Sequence, residues 1–392
     1  MIKIGIIGTG QRAASYLKHV SNSAKAKITY LCDINSTRLK AFAQDHQVSD
    51  DTVLAEKLDQ ILQGNLIDAL IITTPDKYHK EIAVKAFAAG KHVMLEKPMA
   101  LCVSDCREII KAMENSGKIL QIGFVLRSTP FYKKIREILD SGILGTIMSI
   151  NACEYLSIPH SASYMRRWHR KKTNSGSFLL AKCSHDLDML MWLAGSNISK
   201  VMSFGDNNFF LPSKQQAGHC SVCRQHATCP YRFQSEFVYM TDEERKNPSL
   251  YNFDLCVYNN DKDIIDNQVC IIEFFNNIRA LFSLQLFNPG NVHRSITITA
   301  SSGYLQGHFE ENTISIICAG RKPEIIDVSA QNTSGHGGGD EQHILEFINC
   351  IENGKEPSAN PQAGLAAVLA ADAIEKARQE CRVVSIDNTC YK

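Results

Sequence analysis

The sequence lacks any long hydrophobic run, since no apolar stretch approaches the roughly 18 residues that a membrane-spanning helix needs. It also lacks an excess of charge of either sign, because 42 Lys and Arg residues stand against 41 Asp and Glu residues and leave a net charge of +1. This balance argues against a nucleic-acid-binding protein and against an acidic disordered one. No basic, cleavable segment precedes the first apolar run. We therefore expect a cytoplasmic protein with neither nucleic acid nor membrane as a partner.

Cysteine, by contrast, is abundant. Of the 14 cysteines, most are scattered singly through apolar stretches, which favours buried thiols over a disulfide framework. Three others lie close together in a polar stretch, at Cys220, Cys223 and Cys229. This cluster needs an interpretation of its own, given below.

The order of elements along the 392 residues predicts two domains that differ in secondary-structure content. Residues 1–123 alternate short apolar runs with helical patterns, which is typical of a doubly wound α/β (Rossmann) domain with a parallel sheet. Residues 124–392 carry many strand-like runs and few helices, which predicts an α+β domain with a large open antiparallel or mixed sheet. Within it, residues 212–262 read as a polar, cysteine-containing insertion, and residues 362–380 as a closing helix.

A dinucleotide-binding motif follows the first predicted strand. The G-x-G-x-x-A sequence consists of Gly8, Thr9, Gly10, Gln11, Arg12 and Ala13. Gly8 permits a tight turn, Gly10 lets the backbone approach a pyrophosphate, and Ala13 keeps the helix close to the strand. The start of the helix then offers free N–H groups to the phosphates. The alternative is a purely structural glycine turn.

An acidic residue, Asp33, ends the second predicted strand. At this position a carboxylate accepts hydrogen bonds from the ribose hydroxyls and repels a 2′-phosphate, which favours NAD over NADP. Arg38 lies within reach of the same edge and weakens that preference, unless it is a solvated helix residue. We predict NAD as the cofactor.

Several segments carry a family resemblance. They are Thr73-Thr74-Pro75-Asp76 with His79, the run at residues 88–93, Glu96-Lys97-Pro98-Met99-Ala100 and Ser184-His185-Asp186-Leu187-Asp188. Together with the glycine turn they resemble the glucose–fructose oxidoreductase / inositol dehydrogenase / MocA (Gfo/Idh/MocA) family. The resemblance implies nicotinamide-dependent oxidation of a sugar, cyclitol or related hydroxy compound. It also implies a second domain whose open sheet often mediates oligomers, so we expect a homodimer or homotetramer. It implies cofactor contacts by Thr74, Pro75, His79, Glu96 and Lys97.

The same resemblance implies an acid–base pair, Lys97 and His185. Lys97 follows a strand at the edge of the sheet where ligands bind, and an amine there can take the proton of a substrate hydroxyl. The alternatives are an ion pair between Lys97 and Glu96, and a structural role for His185. Family members often carry an Asp four residues before this His, but Ala181 occupies that position here and Lys182 follows it. Lys182 is predicted as a second base, a substrate ligand or a structural residue.

Further substrate-binding residues are predicted, most of them in two segments. The segment 164–170 concentrates cations around an aromatic ring, which suits stacking on a sugar face and hydrogen bonds to its hydroxyls. The alternative is a basic surface loop, which would have the same composition. The glycine-rich segment 335–340 predicts a nest of N–H groups or a mobile lid, with His336 as a substrate ligand. The full set of predicted substrate-binding residues is Tyr155, Arg166, Arg167, Trp168, Asp188 and His336.

The cysteine cluster suits structural zinc, which takes four ligands at such spacings. The fourth ligand is left open between His219, His226 and Cys183, the last of which would connect the insertion to the helix of His185. Reduced thiols without metal are the main alternative, and an iron–sulfur centre or redox pair is a lesser one.

Three functions share these residues. The leading prediction is an NAD(P)-dependent dehydrogenase of a carbohydrate-like substrate. The second is a glycosidase that oxidises its sugar transiently on retained NAD and then eliminates the glycosidic bond. The third is a non-catalytic NAD-sensing regulator, which the presence of both Lys97 and His185 disfavours.

Overall fold

The computed structural model describes residues 1–214, 216–235, 239–331 and 336–391. Gly335 of the predicted glycine-rich segment, and residues 215 and 236–238 of the predicted insertion, lie outside the described residues. The chain divides into two compact units, residues 1–129 with 334–368 and residues 130–333 with 369–392. The first unit therefore includes a segment, residues 334–368, that the sequence analysis assigned to the second domain.

The first unit is built on a parallel sheet with helices between its strands. Its strands run in the order β3-β2-β1-β4-β5-β6, and every described pairing is parallel. This order reverses direction between β1 and β4, which is where doubly wound folds bind their ligands. The elements are β1 (Ile2–Ile7), α1 (Gln11–Ser21), β2 (Ala26–Cys32), α2 (Ser36–Asp45), β3 (Val53–Ala55), α3 (Leu58–Leu62), β4 (Ala69–Ile72), α4 (His79–Ala88), β5 (His92–Leu95), α5 (Val103–Ser116) and β6 (Leu120–Ile122).

The central strand β4 shows why this sheet is covered on both sides. All four of its residues, Ala-Leu-Ile-Ile, are fully buried, as expected for a parallel strand with helices on both faces. The helices bury one apolar face each, for example Ala83, Ala86 and Phe87 of α4. The prediction of a Rossmann domain is confirmed.

The second unit is built on a mixed sheet with the strand order β14-β13-β12-β11-β7-β10-β9-β8-β15. The pair β7–β10 is parallel and the other described pairs are antiparallel. Its elements up to residue 331 are α6 (Pro130–Asp140), β7 (Ile147–Ser157), α7 (Ile158–Arg166), α8 (Lys172–Ser175), α9 (Phe178–Ala194), β8 (Ile198–Asp206), α10 (Asp242–Lys246), β9 (Asn267–Phe274), β10 (Arg279–Asn288), β11 (His293–Ala300), β12 (Gly303–His308), β13 (Thr313–Cys318) and β14 (Glu324–Asp327).

Three elements follow in the C-terminal part: α11 (Gly339–Asn353), α12 (Pro361–Glu380) and β15 (Val384–Ser385). Helix α11 belongs to the first unit and β15 to the second, while the residues of α12 fall in both. Gly354 ends α11 in the left-handed conformation that glycine adopts without strain. The closing helix predicted at residues 362–380 corresponds in position to α12.

The two faces of the mixed sheet differ in burial. In β9 the residues Gln268, Cys270, Ile272 and Phe274 are buried, whereas Val269 and Ile271 between them are exposed. The same alternation runs through β10 and β11, so one face forms the core and the other is open. In the described part of the chain no helix is both long and apolar enough to cross a membrane.

Candidate active site

The dinucleotide turn joins β1 to α1 in the first unit. Gly8 adopts φ +93°, and a Cβ at this residue would lie 2.8 Å from the carbonyl group of Thr73 and from the amide nitrogen of Thr74. Only glycine lets the end of β1 approach the end of β4 so closely. Thr73 secures the approach, because its hydroxyl donates to the carbonyl oxygens of Ile7 and Gly8 at 3.0 and 2.7 Å.

The start of α1 is open. Gly10 is its N-cap residue, no side chain caps the helix, and a Cβ at Gly10 would meet no atom within 4 Å. The following residue, Gln11, is exposed. Uncapped N–H groups at a helix N-terminus suit a phosphate, and the bare backbone of Gly10 lets it come close. These residues fit a dinucleotide pyrophosphate.

Asp33 lies beside this turn at the end of β2. Its Oδ2 accepts hydrogen bonds from both the amide and the hydroxyl of Thr9, each at 2.8 Å. Its Oδ1 accepts the amide N–H of Asn35 at 2.9 Å. The carboxylate is therefore held against Thr9 of the dinucleotide turn, and its predicted contact with the ribose stays a prediction. Arg38 lies in the first turn of α2, three residues beyond the Asn35 N-cap.

Arg12 of the turn is committed to protein contacts. Its Nε lies 2.6 Å from Glu96 Oε1, and its Nη2 donates to the Tyr16 hydroxyl at 2.5 Å. Tyr16 donates in turn to the same Glu96 oxygen at 2.5 Å. Burial acts to raise the pKa of Glu96, but the Arg12 charge and these hydrogen bonds outweigh it, so the pKa of Glu96 is lowered. Arg12 and Glu96 thus form a buried ion pair that joins α1 to the end of β5.

The glycine-rich segment brings two more groups to Arg12. Asp340, in the first turn of α11, holds Arg12 Nη1 at 3.1 Å with both oxygens and accepts the Ser15 hydroxyl at 2.7 Å. His336 Nδ1 lies 3.1 Å from Arg12 Nη1 and 3.2 Å from Asp340. His336, predicted as a substrate ligand, is therefore engaged within the nucleotide-binding unit. Its substrate role stays a prediction.

Lys97 follows β5 at the carboxyl edge of the sheet. Its amide N–H donates to the Glu96 side chain at 3.1 Å, and the Lys97–Pro98 peptide is cis. Burial raises the pKa of Asp76 well above its ordinary value, while the charge of Lys97 opposes that rise. Asp76 is thus a buried carboxyl group within electrostatic reach of Lys97. The sequence analysis quoted Asp76 within its motif without giving it a role.

His79 ties the loop after β4 to the loop after β5. The ring is fully buried, with Nδ1 2.8 Å from the carbonyl oxygen of Pro98 and Nε2 3.0 Å from that of Thr74. Burial lowers the pKa of His79. Both ring nitrogens are occupied by the backbone, so His79 shapes the loops at Thr74-Pro75 and at Pro98. These contacts leave no ring nitrogen for the cofactor contact predicted for it.

In the second unit, helix α9 carries His185, Lys182 and Asp188. The Ser177 side chain caps its first turn by accepting the Leu180 N–H at 3.1 Å, and Gly195 ends it in the left-handed conformation. The apolar pattern predicts a helix at about residues 185–194, whereas the helix starts seven residues earlier, at Phe178. Its only residue between Phe178 and Ala194 that is not buried is Trp192. A helix buried nearly all round shows no amphipathic stripe, which is why the pattern hid its first two turns.

Four charged side chains form a buried network between α9, β7 and β11. Lys182 Nζ lies 2.7 Å from Glu154 Oε1, and Arg294 Nη2 lies 2.8 Å from Glu154 Oε2. Arg294 also contacts Asp186 through Nε at 2.8 Å and Nη2 at 3.3 Å. Glu154 and Arg294 were missed by the sequence analysis.

Tyr155, the predicted substrate ligand on β7, lies on the opposite face of the sheet from Glu154. Its register partners are Gln285 and His293, whose side chains belong to the open face, and its ring lies 5.9 Å from that of His293. Because side chains alternate along a strand, Tyr155 cannot share a face with its neighbour. The residue of β7 that reaches α9 is Glu154.

The cationic segment 164–170 makes most of its contacts with other residues of the protein. Arg166 is 4% exposed and donates to the Tyr231 carbonyl oxygen, with Cys220 Sγ 3.9 Å away. Trp168 stacks on His169 with ring centroids 3.6 Å apart. Arg166 is therefore buried against the insertion, while Arg167 and Trp168 are partly exposed. Substrate contacts by this segment stay a prediction.

The cysteine cluster is not a formed metal centre. Among the described residues, no group of three or more His, Cys, Asp or Glu side chains is placed to hold a metal ion. Cys183, one of the predicted fourth ligands, lies in α9 within the electrostatic reach of Asp186 and Glu154. Another cysteine, Cys256, lies within electrostatic reach of both Cys220 and Cys229. Burial raises the pKa of Cys220 and of Cys229, so both favour the neutral thiol. Zinc therefore has no support from the structure.

Two family models match the chain. One, described as an oxidoreductase family with an NAD-binding Rossmann fold, matches residues 2–124. The other, described as the C-terminal alpha/beta domain of an oxidoreductase family, matches residues 136–386.

Individual relatives are distant. The chain is 26% identical to the oxidoreductase YteT of Bacillus subtilis over 313 residues, which are 73% of each protein. It is 25% identical to the inositol 2-dehydrogenase of Salmonella typhimurium over 202 residues, which span 51% of this chain and 56% of that enzyme.

Among solved structures, levoglucosan dehydrogenase in complex with NADH and levoglucosan shares the fold, with a TM-score of 0.77, 18% identity and coverage of 99% of this chain and 100% of that one. Because the two family models together match most of the residues, this protein belongs to the Gfo/Idh/MocA oxidoreductase family.

Proposed function

We propose that this protein is an NAD-dependent dehydrogenase that oxidises a CH–OH group of a sugar, cyclitol or related polyhydroxy compound. The observation that carries the proposal is the edge of the parallel sheet, where the dinucleotide turn after β1 and Lys97 after β5 lie at the carboxyl ends of the strands. Ligands bind at this edge in doubly wound folds.

The residues of the first unit would hold the cofactor. The open start of α1 at Gly10 would take the pyrophosphate, and Asp33, already fixed by Thr9, would accept the ribose hydroxyls. A carboxylate there disfavours a 2′-phosphate, so we expect NAD to be used in preference to NADP. When bound, the nicotinamide ring supplies the acceptor for a hydride.

Lys97 would act as the general base. It takes the hydroxyl proton of the substrate while the carbon-bound hydrogen leaves as hydride, so that an alcohol and NAD⁺ become a ketone or lactone, NADH and one proton. His185 is proposed as the partner of Lys97 in proton removal. The inositol 2-dehydrogenase and levoglucosan dehydrogenase relatives support a carbohydrate-like substrate.

The test is turnover of a pool of free sugars, cyclitols and glycosides by the purified protein in heavy water, once with NAD and once with NADP. We expect a product two mass units lighter, formed in step with NADH and faster with NAD. Cleaved glycoside that carries deuterium beside the broken bond, without NADH, would replace the proposal by the NAD-dependent glycosidase. A protein that binds NAD and turns over none of these compounds would instead support the sensor.

A substitution then tests the base. Lys97→Met should lower kcat by at least about a thousandfold while NAD binding is kept, because the proton acceptor is lost but the glycine turn is not. Lys80→Met is the matched control, since Lys80 is a half-exposed lysine of the same unit whose ion pairs are with Asp105 and Glu108. A Lys97→Met enzyme with undiminished kcat would exclude Lys97 as the base.

A further inference from the structure

The sequence left three roles open for Lys182: a second base, a substrate ligand or a structural residue. The network around Lys182 decides between them. Glu154 is fully buried, and its two oxygens each face one cation, Lys182 at 2.7 Å and Arg294 at 2.8 Å. A buried carboxylate is costly unless it is paired, and here the pairing uses both cations.

The charges of the network balance. Arg294 holds Asp186 with two of its N–H groups, so the order is Lys182, Glu154, Arg294, Asp186, with alternating sign and no net charge. Burial raises the pKa of Asp186, and the two hydrogen bonds from Arg294 oppose that rise. Burial acts to lower the pKa of Arg294, but the charges of Asp186 and Glu154 outweigh it, so the pKa of Arg294 is raised.

Other titratable groups lie around the network. Burial raises the pKa of the Cys183 thiol on α9 and of the Tyr132 hydroxyl on α6 well above their ordinary values. Burial also raises the pKa of Glu310, whose carboxyl group accepts the backbone N–H of Arg294 at 2.7 Å. The Lys182 ammonium group itself faces one buried carboxylate, Glu154, whose other oxygen lies against Arg294.

The same contacts fix the position of the Lys182 ammonium group. Lys182 and Asp186 are one helical turn apart on α9, and each is tied to Arg294 directly or through Glu154. His185 lies between them in sequence, on the same turn of the helix. An ammonium group has three N–H donors, and the one Glu154 oxygen that lies 2.7 Å from Lys182 Nζ can take only part of them.

We propose that Glu154 is a positioning residue that holds Lys182 as a fixed hydrogen-bond donor to a substrate hydroxyl. This inference rests on the proposed dehydrogenase function and deepens it. It assigns Lys182 to substrate binding and leaves proton abstraction to Lys97.

The test separates binding from chemistry. Glu154→Gln and Lys182→Met should each raise KM for the substrate at least tenfold with kcat changed less than threefold, because a donor that serves ground state and transition state alike affects KM. The double variant should be no worse than Lys182→Met, since Glu154 acts through Lys182. Glu154→Asp, which keeps the charge, should restore most of the loss.

A matched control guards against a merely structural effect. Asp266→Asn also neutralises a fully buried carboxylate of this unit, one that accepts the N–H groups of Asn208, Phe209 and Phe210. We expect it to lower stability without changing KM. Two results would overturn the inference. One is a double variant in which the KM increases of the two single variants multiply. The other is a Glu154→Gln enzyme that is destabilised as much as Asp266→Asn but keeps an unchanged KM.

If Glu154→Gln does not fold, Lys182→Met and Lys182→Arg carry the test alone. Unchanged KM and kcat in Lys182→Met would exclude Lys182 as a substrate donor, and a fall in kcat at constant KM would make it a base. The proposed function has its own test: it is excluded when the unmodified protein oxidises none of the compounds tested. Because the inference rests on that function, this result excludes the inference as well.

Discussion

The contrast between Tyr155 and Glu154 shows which single site residues can be recognised from the sequence and which cannot. Tyr155 was predicted as a substrate ligand, but the alternation of β7 directs Tyr155 to the open face and Glu154 to the core. A buried acidic residue in a strand carries no pattern of its own, since its cations, Lys182 and Arg294, lie 28 and 140 residues further along. The glycine turn and Asp33 were found because their spacing is local.

A buried histidine gives a prediction at the same scale. His343 in α11 is fully buried, and within the described residues its Nε2 has no hydrogen-bond partner. Burial lowers its pKa to about 4. Because the folded state then binds fewer protons than the unfolded state, stability is lost as the pH falls from about 6.5 towards about 4.

We therefore expect acid to weaken the protein partly through His343. The lowered pKa corresponds to a loss of about 2.5 kcal/mol in the free energy of unfolding between pH 7.5 and pH 4.5. His343→Gln should lose less than the unmodified protein over this interval, whatever its stability at pH 7.5. Urea unfolding of both proteins at the two pH values measures the difference. Equal losses would mean that His343 is already protonated, or solvated, in the folded state.

At the scale of elements, regular segments were predictable and their packing partners were not. Strands such as β1, β5 and β13 begin and end where the apolar runs predict. The sequence pattern also predicts a helix at residues 341–353, which corresponds to α11, but it does not predict that this helix belongs to the first unit, since nothing local in the sequence says which sheet a helix packs on. The link is made by Asp340, which contacts Arg12 and Ser15 more than 320 residues away.

Asp340→Asn should therefore loosen α11 from α1. The substitution removes the charge that faces Arg12 and weakens the bond from Ser15, and because Arg12 keeps Glu96 and some solvent contact, we expect a loss of about 2 kcal/mol in unfolding free energy. The neighbouring Glu341→Gln, which also removes a carboxylate from the first turn of α11, serves as the control. Urea unfolding at neutral pH compares the two. A loss no greater than that of Glu341→Gln would show that the Arg12–Asp340 pair contributes nothing.

At the scale of the whole molecule, the open face of the mixed sheet is the feature that the fold leaves unexplained. Its strands β8, β9 and β10 expose Phe204, Val269, Ile271 and Leu281, each by half or more of its surface. Further across the same face, the polar residues Asn151, Thr297 and Gln306 follow in register. Beyond them Tyr304 and Ile325 are exposed again, so polar residues separate the apolar part on β8, β9 and β10 from these two side chains. A contiguous exposed apolar patch of this kind marks a surface that another protein covers. The family resemblance implies a homodimer or homotetramer through such a sheet, and for that prediction this patch is the expected contact.

Charge placed in this patch should dissociate the oligomer. Ile271 and Leu281 are directly paired across β9 and β10, so Ile271→Asp and Leu281→Asp each bury a carboxylate in the same contact, which costs several kcal/mol unless it is paired. We expect light scattering after size exclusion to give two or four chains for the unmodified protein and one chain for either variant. Gln306→Asp lies on the same face of β12, separated from Ile271 and Leu281 by the polar residues Asn151 and Thr297, and should leave the mass unchanged. If the unmodified protein is already a single chain, the patch has another occupant, and if Gln306→Asp dissociates it as well, the contact extends over the polar part of the sheet.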